Sequence, residues 1–165
     1  ELPGIAPEIL EMWARPVEDH GIEAELDRRV AHWRLLSGDQ LPFDAAYFRE
    51  LERRVIEHAG GYVESSAHAR ADSSGMLRTA ELAANRVPVL VVSATGEPVF
   101  PLPHPQHLAQ VVAGARVVEI PGMGHALPPT VHGPLEKAIL EHTLGRGAGR
   151  GAGPGGALGR VSAGE

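Results

Sequence analysis

The chain has 165 residues, 43% of them hydrophobic, which suits one globular domain with a buried core. It contains no cysteine, which excludes disulfides, thiolate metal ligands and a cysteine nucleophile. The formal net charge of −6 argues against nucleic-acid binding, which relies on basic side chains that neutralise phosphates. No apolar run is long enough to span a bilayer or resembles a signal peptide, so we expect a cytoplasmic protein with no membrane or nucleic-acid partner.

The first half of the chain carries helical patterns only. Apolar residues recur every three or four positions, which is the spacing of one helix face. Asp44 is placed to cap a helix that two glycines end, and the glycine at position 38 ends the helix before it. The patterns predict helices over residues 7–16, 22–36, from Asp44 to Gly60, weakly over 62–70, and over 76–85, with a loop at 71–75.

The second half changes to alternating strands and helices. The predicted elements are a β-branched strand Val87–Val92 covered on both faces, a helix His104–Val112, a strand Ala115–Ile120 and an amphipathic helix Thr130–His142 whose inward side chains are Val131, Leu135, Ala138 and Ile139. After Thr143 the chain becomes rich in glycine, and we expect this tail to be disordered.

Two parallel strands are too few for a stable sheet that is buried on both faces. We therefore expect further strands, on the N-terminal side of this sequence. The chain also begins with Glu1 rather than methionine. Both observations predict a piece of a longer protein or a processed product; the alternative is that only a start residue or a disordered end is missing.

A loop with a carboxylate follows the first predicted strand, and a loop with a histidine follows the second. Glu97 lies in Ala94-Thr95-Gly96-Glu97-Pro98, and His125 ends Pro121-Gly122-Met123-Gly124-His125. The loops leave the same end of neighbouring parallel strands, so the two side chains are predicted to converge. Histidine is suited to proton transfer because it titrates near neutral pH.

These segments carry a family resemblance. Val87-Pro88-Val89-Leu90-Val91-Val92, Thr95-Gly96-Glu97-Pro98-Val99-Phe100-Pro101 and the run from Gly114 to His125 resemble the C-terminal end of the α/β-hydrolase fold superfamily. Within it, the Leu2-Pro3-Gly4 opening, the Trp33–Gly38 run and the Gly122–Pro129 run are most similar to actinobacterial hydrolases that resemble aclacinomycin methylesterase.

The resemblance implies an α/β fold in which this chain is a C-terminal fragment. Residues 1–85 would form a helical cap and residues 86–143 the last two parallel strands with their helices, followed by the tail at 144–165. It implies His125 as the general base and Glu97 as the triad acid, with no cofactor and no metal. Two departures are a glutamate where the family usually has aspartate, and Ser93-Ala94 where it often has His-Gly before the threonine.

The nucleophile elbow G-x-S-x-G and the oxyanion-hole loop are absent from the sequence. The resemblance therefore implies a serine hydrolase whose nucleophile lies elsewhere, so this chain is not expected to be active alone. The expected substrate is a small molecule, an apolar carboxylic ester. Other hydrolases on the same scaffold (dehalogenases, epoxide hydrolases, C–C bond hydrolases) remain open, and so does a non-catalytic ligand-binding or interaction relic. The oligomeric state is not predicted.

Several other side chains could have either a functional or a purely structural role. Trp13, Trp33 and Phe48 could line a substrate pocket, but ordinary packing is favoured. His104 and His107 have a spacing that can share a metal, but no third ligand is indicated. The serines of the helical half lack elbow glycines and are poor candidates for a nucleophile.

Overall fold

The structure is a computed structural model that describes residues 1–16, 18–62, 71–72 and 74–145. Within those residues the chain forms six α-helices and two parallel strands, so the predicted α/β class is confirmed. Residues 63–70 of the stretch predicted to be weakly helical lie outside the described residues, and so do residues 146–165 of the tail predicted to be disordered. The first residue of that predicted tail, Leu144, is the last residue of the helix Pro129–Leu144. In chain order the elements are α1 (Pro7–Ala14), α2 (Ile22–Leu36), α3 (Ala45–Ala59), a 3₁₀ turn (Ser74–Met76), α4 (Thr79–Ala83), β1 (Leu90–Ala94), α5 (His104–Val111), β2 (Arg116–Ile120) and α6 (Pro129–Leu144).

The helices predicted over residues 22–36 and from Asp44 to Gly60 are confirmed as α2 and α3, together with the signals that bound α3, and the short helix predicted over residues 7–16 ends at Ala14. The Asp44 side chain accepts a hydrogen bond from the Tyr47 N–H at 2.9 Å, which satisfies one of the free donors of the first turn of α3. Gly60 ends α3 in the left-handed conformation, with φ +70°. The helix predicted over 76–85 is wrong in extent, because only Thr79–Ala83 are helical. Its residues are exposed, so packing adds little to a segment too short to be stable by itself.

The strands pair in parallel, from Leu90 opposite Arg116 to Ala94 opposite Ile120, and α5 forms the crossover between them. The first strand begins at Leu90 and not at Val87, and the prediction that the whole run is covered on both faces is wrong for its first residues. Val87 is 67% exposed, and Pro88 has no N–H for a ladder. Parallel pairing puts the loops after β1 and β2 at one edge of the sheet, as predicted.

One apolar cluster joins the helical half to the loops that follow the strands. Phe48 of α3 is fully buried and stacks between Trp33 of α2 and Phe43. The same cluster contains Val99, from the acid loop (residues 95–103, which include Glu97), and Ala126, from the histidine loop (residues 121–128, which include His125). This cluster therefore packs α2 and α3 against the loops at the carboxyl ends of the two strands.

A second cluster lies between the sheet and α6. It contains Ala94, Ile120, Met123 and Val131, with Leu41 and Leu135 packed against it. Val131 and Ala138 are buried as predicted, but Ile139 is 45% exposed, so the predicted inward position of Ile139 is wrong. Successive residues of an α-helix are rotated by about 100° around its axis. This rotation places Ile139 at the border of the buried face of α6, where the side chain meets solvent.

Buried charges join α2 to α3. The Arg29 guanidinium donates to Glu25 at 2.6 Å and to Glu52 at 2.8 Å, and Glu52 also accepts from the Trp33 indole N–H at 2.6 Å. Both carboxylates are nearly inaccessible to solvent, so they depend on these donors. The hydrogen bond from Arg28 is the main cause that lowers the pKa of Glu25 below its usual value of 4.5, and Arg29 lowers this pKa further.

This cluster predicts a pH-dependent stability. A lowered pKa in the folded state means that the Glu25 carboxylate stabilises the fold above the usual glutamate pKa, and that this contribution is lost as pH falls through the lowered pKa. Glu25→Gln is therefore expected to reduce the free energy of unfolding by about 1–3 kcal/mol at pH 7. The loss is expected to shrink in acid.

Urea unfolding at a series of pH values measures this difference. Glu11→Gln, at an exposed position of α1, is the matched control and is expected to change the unfolding free energy by less than about 0.5 kcal/mol. A Glu25→Gln effect that is the same at pH 3 and pH 7 would contradict the assignment.

Candidate active site

The structure brings together the two side chains that the sequence singled out. His125 Nδ1 lies 3.1 Å from Oε1 and 3.0 Å from Oε2 of Glu97. A carboxylate only accepts hydrogen bonds, so Nδ1 donates to it and Nε2 is left as the basic nitrogen on the opposite edge of the ring. Glu97 is 12% exposed and His125 39% exposed, so the acid lies behind the histidine. The predicted convergence of the two loops is confirmed.

The acid loop turns back on its own carboxylate. Glu97 Oε1 accepts hydrogen bonds from the Val99 N–H at 2.7 Å and from the Phe100 N–H at 3.3 Å. These donors fix the orientation of the side chain, and Val99 is anchored in the apolar core. The loop thus accommodates the extra methylene that a glutamate has over an aspartate.

Ser93 and Ala94, the two residues before Thr95, lie inside β1. Ala94 is buried against Ile120 and Met123 and pairs with Ile120 in the ladder, so its methyl group fits the strand without a special turn. Ser93 is completely buried, and its hydroxyl oxygen has no hydrogen-bond partner among the described residues.

The end of α2 holds the histidine loop. The His125 and Ala126 N–H groups donate to the Leu36 carbonyl at 2.8 and 3.3 Å. Gly124 lies against the carbonyls of Leu36 and Ser37, and a Cβ at this position would overlap both oxygens. The backbone of the helical half therefore sets the position of His125, and only glycine fits at residue 124.

A cavity of about 530 Å³ opens beside His125. Its wall is mainly apolar, which suits the hydrocarbon part of a small molecule. Glu97, His104, His107 and His125 supply its ionisable groups. The apolar side chains that line it include Leu82, Val91, Phe100, Leu108, Val111 and Met123.

The aromatic residues considered for a pocket do not line this cavity. Phe48 is buried in the core with Trp33 stacked on it, which agrees with ordinary packing. Trp13 is half-exposed, and its indole N–H donates to His32 Nε2 at 2.8 Å.

His104 and Ser74, considered from the sequence as a metal ligand and a nucleophile, form hydrogen bonds with neighbouring residues. His104 Nε2 donates to the Pro3 carbonyl at 2.7 Å, and no group of three or more His, Cys, Asp or Glu that could hold a metal occurs among the described residues. Ser74 bonds to Asp72, whereas the serines at 65, 66 and 73 lie outside the described part of the chain. In that same part, no helix is both long and apolar enough to cross a bilayer.

Sequence reasoning missed Gln40 and the role of Thr95. Gln40 lies between α2 and α3 and contacts Thr95, 55 positions away. The only sequence signal for Thr95 is its position two residues before Glu97 in the same motif. Nothing in the local pattern around Gln40 marks it.

No known protein-family model matches the chain. It is 44% identical over 143 residues to rhodomycin D methylesterase DauP of Streptomyces sp. (strain C5), covering 86% of this chain and 48% of that protein. It is 45% identical over 136 residues to rhodomycin D methylesterase DnrP of Streptomyces peucetius, covering 82% and 45%. The chain thus spans about half the length of the curated relatives it matches.

Among solved structures, the chain is similar to a His-tagged serine hydrolase involved in carbazole degradation, the CarC enzyme. The TM-score is 0.42 and the sequence identity 16%, and the match covers 74% of this chain and 47% of that one.

The fit of Gly124 predicts a specific sensitivity. Gly124→Ala is expected to lower the free energy of unfolding by about 1–3 kcal/mol, because its methyl group forces the histidine loop away from the end of α2. Gly133→Ala is the matched control, because a Cβ at this position of α6 meets open space and alanine favours a helix by about 1 kcal/mol over glycine. Thermal unfolding of both variants measures the contrast, and equal stability of the two would show that the close approach is not real.

Proposed function

Because the curated homologues of this chain are rhodomycin D methylesterases of the α/β-hydrolase family, we propose that it is the C-terminal part of a serine hydrolase that cleaves a carboxylic ester. The observation that carries the proposal is the contact of Glu97 with His125 Nδ1, at the carboxyl ends of two adjacent parallel strands. On this fold an acid and a histidine in that order follow the nucleophile along the chain.

In this proposal His125 Nε2 accepts the proton of a serine hydroxyl while the serine oxygen attacks the ester carbonyl. The imidazolium then gives that proton to the departing alcohol oxygen, which leaves an acyl-enzyme. Water, deprotonated by the same nitrogen, releases the acid product. Glu97 keeps the proton on Nδ1 and stabilises the imidazolium in both steps.

The serine and the oxyanion donors would come from polypeptide outside these 165 residues. The sequence has no G-x-S-x-G, and the chain spans about half the length of its curated relatives. We therefore propose that residues 1–165 have no esterase activity by themselves.

Residues 1–85 would act as the cap over the site and residues 86–143 as the end of the core. The packing of α2 and α3 on the acid and histidine loops supports this division. The apolar cavity beside His125 favours an ester on a bulky hydrocarbon scaffold. Rhodomycin D, which the names of both relatives give as their substrate, is the first ester to assay.

A second candidate function is binding without catalysis. The mainly apolar cavity of about 530 Å³ favours a site that holds an apolar ligand, and such a site needs no nucleophile. Binding of rhodomycin D without its hydrolysis by the whole protein would support this alternative.

The test uses the protein encoded by the complete reading frame that contains this sequence, with rhodomycin D and p-nitrophenyl esters as substrates. His125→Ala is expected to lower kcat by about 10⁴-fold, because the base is lost. Glu97→Gln is expected to lower kcat by about 10²–10³-fold. The 165-residue chain alone is expected to show no turnover.

Two matched controls separate chemistry from folding. His58→Ala and Glu119→Gln remove an exposed histidine and an exposed carboxylate away from the cavity, and both are expected to keep kcat within about twofold. Activity of His125→Ala within tenfold of the unmodified protein would reject the proposed base. An unchanged rate for Glu97→Gln would point to another acid.

A further inference from the structure

The connection between α2 and α3 is bonded to the acid loop through a pair of reciprocal hydrogen bonds. The Thr95 hydroxyl donates to Gln40 Oε1 at 2.9 Å, and Gln40 Nε2 donates to the Thr95 carbonyl at 3.1 Å. Gln40 is exposed and its backbone lies in a loop, so packing does not hold its side chain in place. These two bonds explain its position.

The same threonine also holds the histidine loop. Thr95 Oγ1 accepts a hydrogen bond from the Gly122 N–H at 2.6 Å while its own proton goes to Gln40. A hydroxyl can donate once and accept at the same time, which a methyl group cannot do. The Gly96 N–H donates to the Met123 carbonyl at 2.8 Å and forms a second link between the loops.

Two glycines allow the connection to lie directly on both loops. Gly38 has φ +67°, and a Cβ on it would overlap the Gly96 carbonyl oxygen. Gly122 has φ +75°, and a Cβ on it would come within 2.9 Å of the Leu41 side chain. The connection therefore lies against the backbone of both loops, through its own backbone at Gly38 and through the Leu41 side chain at Gly122, and Thr95 lies where the three segments meet.

We propose that Gln40 and Thr95 are positioning residues that set the distance between Glu97 and His125. This inference rests on the proposed hydrolase function. The contact between a carboxylate and a histidine that is 39% exposed contributes little to holding two loops together, so the loops must be fixed by other bonds. Thr95 precedes Glu97 by two residues, and Gly122 precedes His125 by three, so a shift at this junction moves both groups.

The test compares Thr95→Val with Thr95→Ser. Valine keeps the shape but loses both hydrogen bonds of the hydroxyl, whereas serine keeps them. In the whole protein, Thr95→Val is expected to lower kcat by about 10–100-fold with KM changed less than about threefold, because misplaced catalytic groups slow the chemical step. Thr95→Ser is expected to keep kcat within about threefold.

A spectroscopic readout tests the geometry without any activity. The His125 Nδ1 proton, bonded to a carboxylate, is expected to give a far-downfield ¹H NMR signal in the whole protein. The signal is expected to persist in Thr95→Ser and to move upfield or broaden in Thr95→Val. Gln40→Met, at an exposed position where folding is not at risk, is expected to show the same change and about a tenfold lower kcat.

The outcomes distinguish the two proposals. If Thr95→Val and Gln40→Met leave both the Nδ1 signal and kcat unchanged while His125→Ala abolishes activity, the positioning inference is overturned and the hydrolase function stands. If His125→Ala keeps activity, the hydrolase function fails, whatever the signal shows. A loss of thermal stability in Thr95→Val, with the signal and kcat unchanged, would make Thr95 a structural residue only.

Discussion

The arrangement of the site depends on the close approach of one short connection, residues 37–41, to the two loops at the end of the sheet. The Leu36 carbonyl, next to this connection, accepts from the His125 N–H, and Gln40 bonds to Thr95. Because hydrogen bonds between backbones need short distances, bulkier residues cannot replace the glycines at these contacts. The helical half therefore acts as part of the frame that holds the acid and the histidine.

This frame explains how a glutamate, one methylene longer than an aspartate, can hold its carboxylate against the histidine. The extra methylene is taken up by a loop that turns its own N–H groups, those of Val99 and Phe100, toward the carboxylate. The carboxylate reaches His125 Nδ1 with both oxygens at about equal distance. Such a pair can orient and charge-stabilise an imidazole, which is the part of ester hydrolysis that these residues are proposed to supply.

The parts of the fold that could be predicted are those with local physical causes. The helices α2 and α3 follow from apolar spacing, the Asp44 cap and the glycine stops, all of which act within a few residues. Predictions failed where packing decides. Val87 and Pro88 precede a strand but form no part of its hydrogen-bond ladder. The residues around Leu77 are exposed, so packing adds little to the helix predicted there. Ile139 lies at the border of the buried face of its helix.

The sequence by itself determined that an acid loop and a histidine loop follow two consecutive strands, because this order and the flanking glycines are written in the local pattern. Parallel pairing then required the loops to share an edge of the sheet. Only the tertiary structure decided which groups hold them there. Thr95, Gln40 and Gly122 are distant along the chain. Hydrogen bonds between distant residues produce no periodic pattern in the sequence, because each bond depends on how the helices pack.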